Sequence, residues 1–99
     1  MAVWNNSKMT SLYYDTTSAD ISDCEVRIDG KDIIVSYREE DEQLSVIWQG
    51  TEHGSGHYEL TLEAGQGRAS LHRFEKSTFL EGWWKEQGEE GMWRIELLK

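Results

Sequence analysis

The chain has no proline, a single cysteine, and 10 basic residues against 19 acidic ones. Each scarcity excludes something. Cys24 alone cannot form an internal disulfide, which fits a reducing compartment. The longest aliphatic run, Ile33-Ile34-Val35, is far too short to span a membrane as a helix. The first residues, MAVWNNSKMT, hold neither a basic nor an apolar stretch, so no secretory signal is read and a cytoplasmic location is expected. Phosphate and anionic membranes are neutralised by clustered Lys and Arg, so a formal charge of −9 makes nucleic acid and membrane unexpected partners. An acidic surface serves solubility, or else it meets a basic protein. No stretch carries a helical apolar period.

What is there is alternation with a period of two, together with 11% aromatic residues and nine glycines. In the segment FLEGWWKEQGEEGMWRIELL (79–98), Leu80, Gly82 and Trp84 share one face, and Trp93, Ile95 and Leu97 follow after a Gly-containing turn at 86–91. That turn predicts Trp84 opposite Trp93, with Trp83 on the outer face. Upstream, Cys24, Val26 and Ile28 lead into the turn Asp29-Gly30, which pairs Val26 with Ile33 and Cys24 with Val35. Further inward sets are Ile33/Val35/Tyr37, Leu44/Val46/Trp48, Tyr58/Leu60/Leu62 and Ala69/Leu71/Arg73. Acidic residues 39–42, the loop GTEHGSG (50–56) and residues 64–67 turn the chain between them. Residues 1–9 are expected to be a loose terminus, residues 10–15 a first strand with Leu12 and Tyr14 inward, and residues 16–23 a loop.

Ninety-nine residues make one domain, 1–99. The expected fold is all-β, an antiparallel up-and-down meander of seven strands, or eight if residues 10–15 form one. With no helix to cover it, the sheet must curl into a small barrel or half-open sandwich. Gly82, on the inner face, is where a strand should bend sharply. The segments WQGTEHGSGHY (48–58) and LEGWWKEQGEEG (80–91) resemble MORN repeats, and the barrel resembles lipocalins and avidins in architecture; neither resemblance implies a function.

Arg73 is the one charged side chain on the expected inner face, beside Tyr58 and Trp48. A guanidinium among stacking faces suits an anionic or aromatic ligand, so Trp48, Tyr58 and Arg73 are the candidate ligand site, at the barrel end away from Tyr37, Trp84 and Trp93. On the outer face Glu59, His72, Glu81 and Glu96 line up, with one imidazole among carboxylates, too few strong ligands for a transition metal. His53 and His57 in HGSGH lack the spacing of a zinc signature, and His57 is expected beside Phe74. Ile34 opposite Ile47, with Phe74, Phe79 and Trp83, offers an outer apolar surface for a protein partner or a homodimer. No hydroxyl–His–carboxylate set, reactive thiol or phosphate loop is present, so no enzyme, cofactor or metal is expected. Two functions are left: a small non-enzymatic binding domain, or an acidic inhibitor or immunity-type protein covering a basic site on a partner.

Overall fold

A computed structural model describes residues 1–15, 19–38, 45–63 and 65–99. Every element among these residues is a strand: β1 (Ala2–Tyr13), β2 (Ala19–Asp29), β3 (Asp32–Arg38), β4 (Ser45–Glu52), β5 (His57–Leu62), β6 (Gly67–His72), β7 (Phe79–Glu86) and β8 (Glu89–Glu96). Each pairs antiparallel with the next, and β8 pairs back onto β1 to close a barrel. Closure leaves the sheet no long free edge and puts the alternating apolar residues inside.

The inward phase follows the alternation. Val26, Ile33, Val35, Trp48, Leu71, Leu80 and Ile95 are fully buried, and Ile28, Tyr37, Val46 and Leu62 pack against them. Leu44 lies outside the described residues. Where the registers differ from the expected ones, they differ by an even number of residues. The β2–β3 turn is Gly30-Lys31, so Val26 faces Val35 and Ile28 faces Ile33. On β4, Trp48 faces Val35 and Leu62, because Gly50, Thr51 and Glu52 continue the strand instead of starting a loop. The β7–β8 turn is Gln87-Gly88, which sets Gly82 opposite Trp93 and Trp84 opposite Gly91. Gln87 (φ 47°) and Gly88 (φ 85°) are both left-handed, as a two-residue hairpin turn of this hand needs. Only β6–β7 keeps the expected partners, Ala69 with Trp84 and Leu71 with Gly82. An even slip preserves which face is buried, which is why the described core residues from Cys24 to Leu97 are as expected while their rows are not.

The N-terminal segment is the real correction. Residues 2–9, expected to be loose, form most of β1, and Ala19 to Asp23, expected as loop, begin β2. Ser7 and Met9 are buried, whereas Leu12 and Tyr14 point outward at 43% and 58% exposure. The cause is a bulge: Trp4 faces Val26 and Ser7 faces Cys24, so Asn5 and Asn6 together oppose one residue of β2. Ser7 Oγ accepts from Leu98 N (3.1 Å) and donates to Trp4 O (3.2 Å), while Asn6 N donates to Leu98 O (3.0 Å). A buried hydroxyl thus ties the bulge to the C-terminal strand.

Gly82 answers to space. A Cβ there would lie 1.8 Å from Ser70 O, so β6 and β7 approach where only glycine fits. Pairing of β2 with β3 ends at Glu25–Ser36, although β2 pairs with β1 as far as Ala19. Beyond that point β2 and β3 part, and the barrel interior opens beside them.

Candidate functional site

The barrel mouth lies where β2 and β3 separate. An open-mouthed cavity of about 1310 Å³ is lined by Met9, Cys24, Trp84 and Trp93, which are buried, and by Tyr13 and Tyr37, which are half-buried. The rings meet mostly edge to face, with one stacked pair. Tyr13 meets Trp84 edge to face (5.2 Å, 88°), Trp84 stacks on Trp93 (6.0 Å, 24°), and Trp93 meets both Trp48 (5.0 Å, 87°) and Tyr37 (6.4 Å, 82°) edge to face. Gly91 makes room for this: a Cβ there would be 2.8 Å from the Trp84 ring.

The polar groups around the rings are distinctive. Trp48 Nε1 donates to the Tyr37 hydroxyl at 3.3 Å. Trp84 Nε1 is the one buried side-chain nitrogen or oxygen among the described residues that has no hydrogen-bond partner. A buried donor without an acceptor costs roughly 1–3 kcal/mol. The cavity lining also includes Asp20, Asp23, Glu25, Glu86 and Glu89 against Arg38. Asp23 is paired with Lys8, and Glu25 with Arg27 at 2.6 Å. Carboxylates thus outnumber the basic groups in this lining. Burial pushes the Cys24 thiol up to about 12, with Asp23 adding to the shift and Lys8 opposing it, so this cysteine stays protonated at neutral pH.

The three expected ligand residues are not all brought together, since Trp48 lies apart from Tyr58 and Arg73. Trp48 belongs to the aromatic cluster at the mouth. Tyr58 faces Leu71 and Glu52, four residues along from the Leu62 that faces Trp48, or about 13 Å at strand spacing. Arg73 does lie near Tyr58, in a groove of about 460 Å³ shared with Glu52, Gly56, Phe74 and Lys76 at the opposite end. Its guanidinium is already engaged, 5.2 Å over the Trp4 ring, with Nε donating to Ser77 O at 2.8 Å. Trp4 sat in the segment expected to be loose, so this partner was not visible in the pattern. The Tyr58 hydroxyl is held above its ordinary range by burial first and by Glu52 second, with Arg73 opposing.

The expected outer surface is also divided. Ile34 faces Gln49 and Ile47 faces Ser36, so the two isoleucines are diagonal neighbours on β3 and β4. Phe74, 86% exposed, belongs to the far groove, and Phe79 lies under the Arg94 guanidinium at 4.4 Å. Trp83 is half-buried and faces Met92. Met92 in turn faces Leu12, and Tyr14 OH reaches its sulfur at 3.5 Å. The contiguous outward apolar row is therefore Trp83, Met92 and Leu12, which the misplaced phase of β1 concealed. Of the expected line of Glu59, His72, Glu81 and Glu96 only the His72–Glu81 pair is kept: Glu59 faces Ser70, His72 also faces His57, and Glu96 faces Phe79. Among the described residues no three His, Cys, Asp or Glu side chains converge as metal ligands, and no helix is long and apolar enough to cross a membrane.

Known proteins offer no guide. No protein-family model, curated protein or solved structure matches the chain.

Proposed function

We propose that the chain is a non-enzymatic binding barrel whose ligand enters at the mouth between β1, β2, β3, β7 and β8. The observation that carries this is the unpartnered Nε1 of Trp84, a residue whose ring belongs to the cavity lining. An N–H kept buried without an acceptor is explained if a ligand supplies one. The rings of Tyr13, Tyr37, Trp84 and Trp93 provide stacking and edge contacts for an apolar body. The acidic lining selects against carboxylates and phosphates, so the ligand is a neutral or cationic aromatic or heterocycle bearing one hydrogen-bond acceptor. This replaces an anionic ligand held by Arg73, whose guanidinium is already occupied. A cytoplasmic location is proposed with it, on the single buried thiol and the acidic surface.

The test is to titrate neutral aromatic amides, aromatic amines and matched carboxylates while following tryptophan fluorescence. Amides or amines should bind and the carboxylates should not. Trp84→Phe, which keeps a ring but removes the donor, should weaken binding by about tenfold, the effect of one buried hydrogen bond. Equal response to the carboxylates, or full affinity in Trp84→Phe, refutes the assignment.

A second reading is favoured by the outward row of Trp83, Met92 and Leu12. Such a stripe on an acidic barrel suits contact with a basic protein, as for an inhibitor-type partner, or a homodimer. Charge-driven contact of that kind weakens steeply with salt, whereas ligand binding in the aromatic cavity does not.

A further inference from the structure

On the barrel's outer face, far from the mouth, two imidazoles stand directly opposite one another on β5 and β6. His57 pairs with His72 in register, their Nδ1 atoms are 3.0 Å apart, and their ring centroids are 4.4 Å apart. His57 Nε2 is 2.7 Å from Glu59 Oε1. A carboxylate only accepts, so Nε2 of His57 carries the hydrogen and its Nδ1 accepts from His72 Nδ1–H; both Nδ1 lone pairs become available to a metal when the His72 hydrogen sits on its Nε2 instead. A carboxylate on the far nitrogen is also what orients and strengthens a metal-binding imidazole. Ser70 Oγ donates to the same Glu59 oxygen at 3.3 Å, which fixes the carboxylate in turn. The pair is held from beneath, since the buried Tyr58 and Leu71 beside it face each other across the same two strands.

We propose that His57 and His72 chelate a divalent first-row transition-metal ion through their two Nδ1 atoms, with Glu59 as the positioning residue and water completing the coordination. With metal–nitrogen bonds of about 2.0–2.1 Å, a 3.0 Å separation gives a nitrogen–metal–nitrogen angle of about 95°. That is near the cis angle of tetragonal and octahedral ions and below the tetrahedral one, so Cu(II) or Ni(II) fits better than Zn(II). Glu81, which faces His72, is itself paired with Arg94 at 3.8 Å. With only two protein ligands, the ion is exchangeable, as in sensing or transient loading, and is not a folding element.

The experiment uses the intact chain and Cu(II) alone, with affinity by calorimetry and ligation by electron paramagnetic resonance at neutral pH. One ion per chain with two equatorial nitrogens is expected. In His72→Gln the affinity should fall by about tenfold or more and the signal should revert to one nitrogen. Glu59→Gln should keep both nitrogens yet lose affinity about tenfold, the typical effect of removing a carboxylate behind a ligating imidazole. His53→Gln, which alters the neighbouring loop histidine, should change neither. A one-nitrogen spectrum in the unaltered chain, or unchanged affinity in His72→Gln, overturns the site. His72 is exposed, so its replacement does not endanger the fold.

Discussion

At the scale of the residue, burial and hydrogen bonding decide which side chains matter. Trp84 and Trp93 are about 4% and 3% exposed and stack on one another, while Trp83 is only half-buried. Trp84→Ala should therefore cost about 3–5 kcal/mol in chemical denaturation, and Trp83→Ala much less. Ser7→Ala strands the Leu98 amide and should cost about 1–2 kcal/mol. Cys24 gives a pH prediction. Its thiol is raised from 9.0 to about 12 in the fold, chiefly by burial. Between these values the unfolded chain loses the proton that the folded chain still holds. Stability from this group is intact below about pH 9 and declines as the pH rises from there toward 12. Thiol labelling at mildly alkaline pH should be slow in buffer and fast in denaturant. Equal rates would mean the thiol is not enclosed.

At the scale of the element, glycines set the tolerances. A methyl on Gly82 would meet Ser70 O at 1.8 Å, so Gly82→Ala should lower stability by on the order of 3 kcal/mol, whereas the same change at Gly30, whose Cβ meets nothing, should cost only its left-handed strain, about 1 kcal/mol. Urea denaturation of the two variants makes the comparison. The contrast also marks what could be read in advance. Which face each strand buries was legible from Cys24 to Leu97, because period-two alternation acts within a strand. Which residue meets which was not, because register depends on where a turn starts, and one turn position moves the pairing by two residues without exposing anything. Gly30-Lys31 in place of Asp29-Gly30 is such a shift. Barrel closure also demands a stagger between strands that no single hairpin reveals. β1 failed for a different reason: the bulge at Asn5 and Asn6 interrupts its alternation, and Ser7 on the inner face looks polar until Leu98 is seen beside it. The consequence for the site was direct. With register shifted along β4, Trp48 moved from the neighbourhood of Tyr58 to that of Trp93, and the candidate ligand end changed with it.

At the scale of the whole molecule, charge and closure govern behaviour. The molecule measures 32 × 25 × 24 Å and carries a formal charge of −9. At about 0.01 M salt the screening length is roughly 30 Å, so every carboxylate feels the others across the barrel; at about 0.15 M it is roughly 8 Å. Ion pairs such as Arg94–Glu81 at 3.8 Å and Lys85–Glu90 at 3.6 Å are exposed and contribute little. Self-repulsion wins, and the thermal midpoint should rise with NaCl over this range; a falling midpoint would show that the surface pairs dominate. Closure has a further consequence. The first and last strands are neighbours, with Ser7 bonded to Leu98 ninety-one residues away. A nascent or truncated chain lacking β8 therefore does not merely lose one strand, since β1 and β7 are both left with open backbone edges of the kind that recruit other chains. Loss of the last ten residues should show itself as aggregation, and a short excess peptide copying β8 should suppress that aggregation by completing the ring from outside.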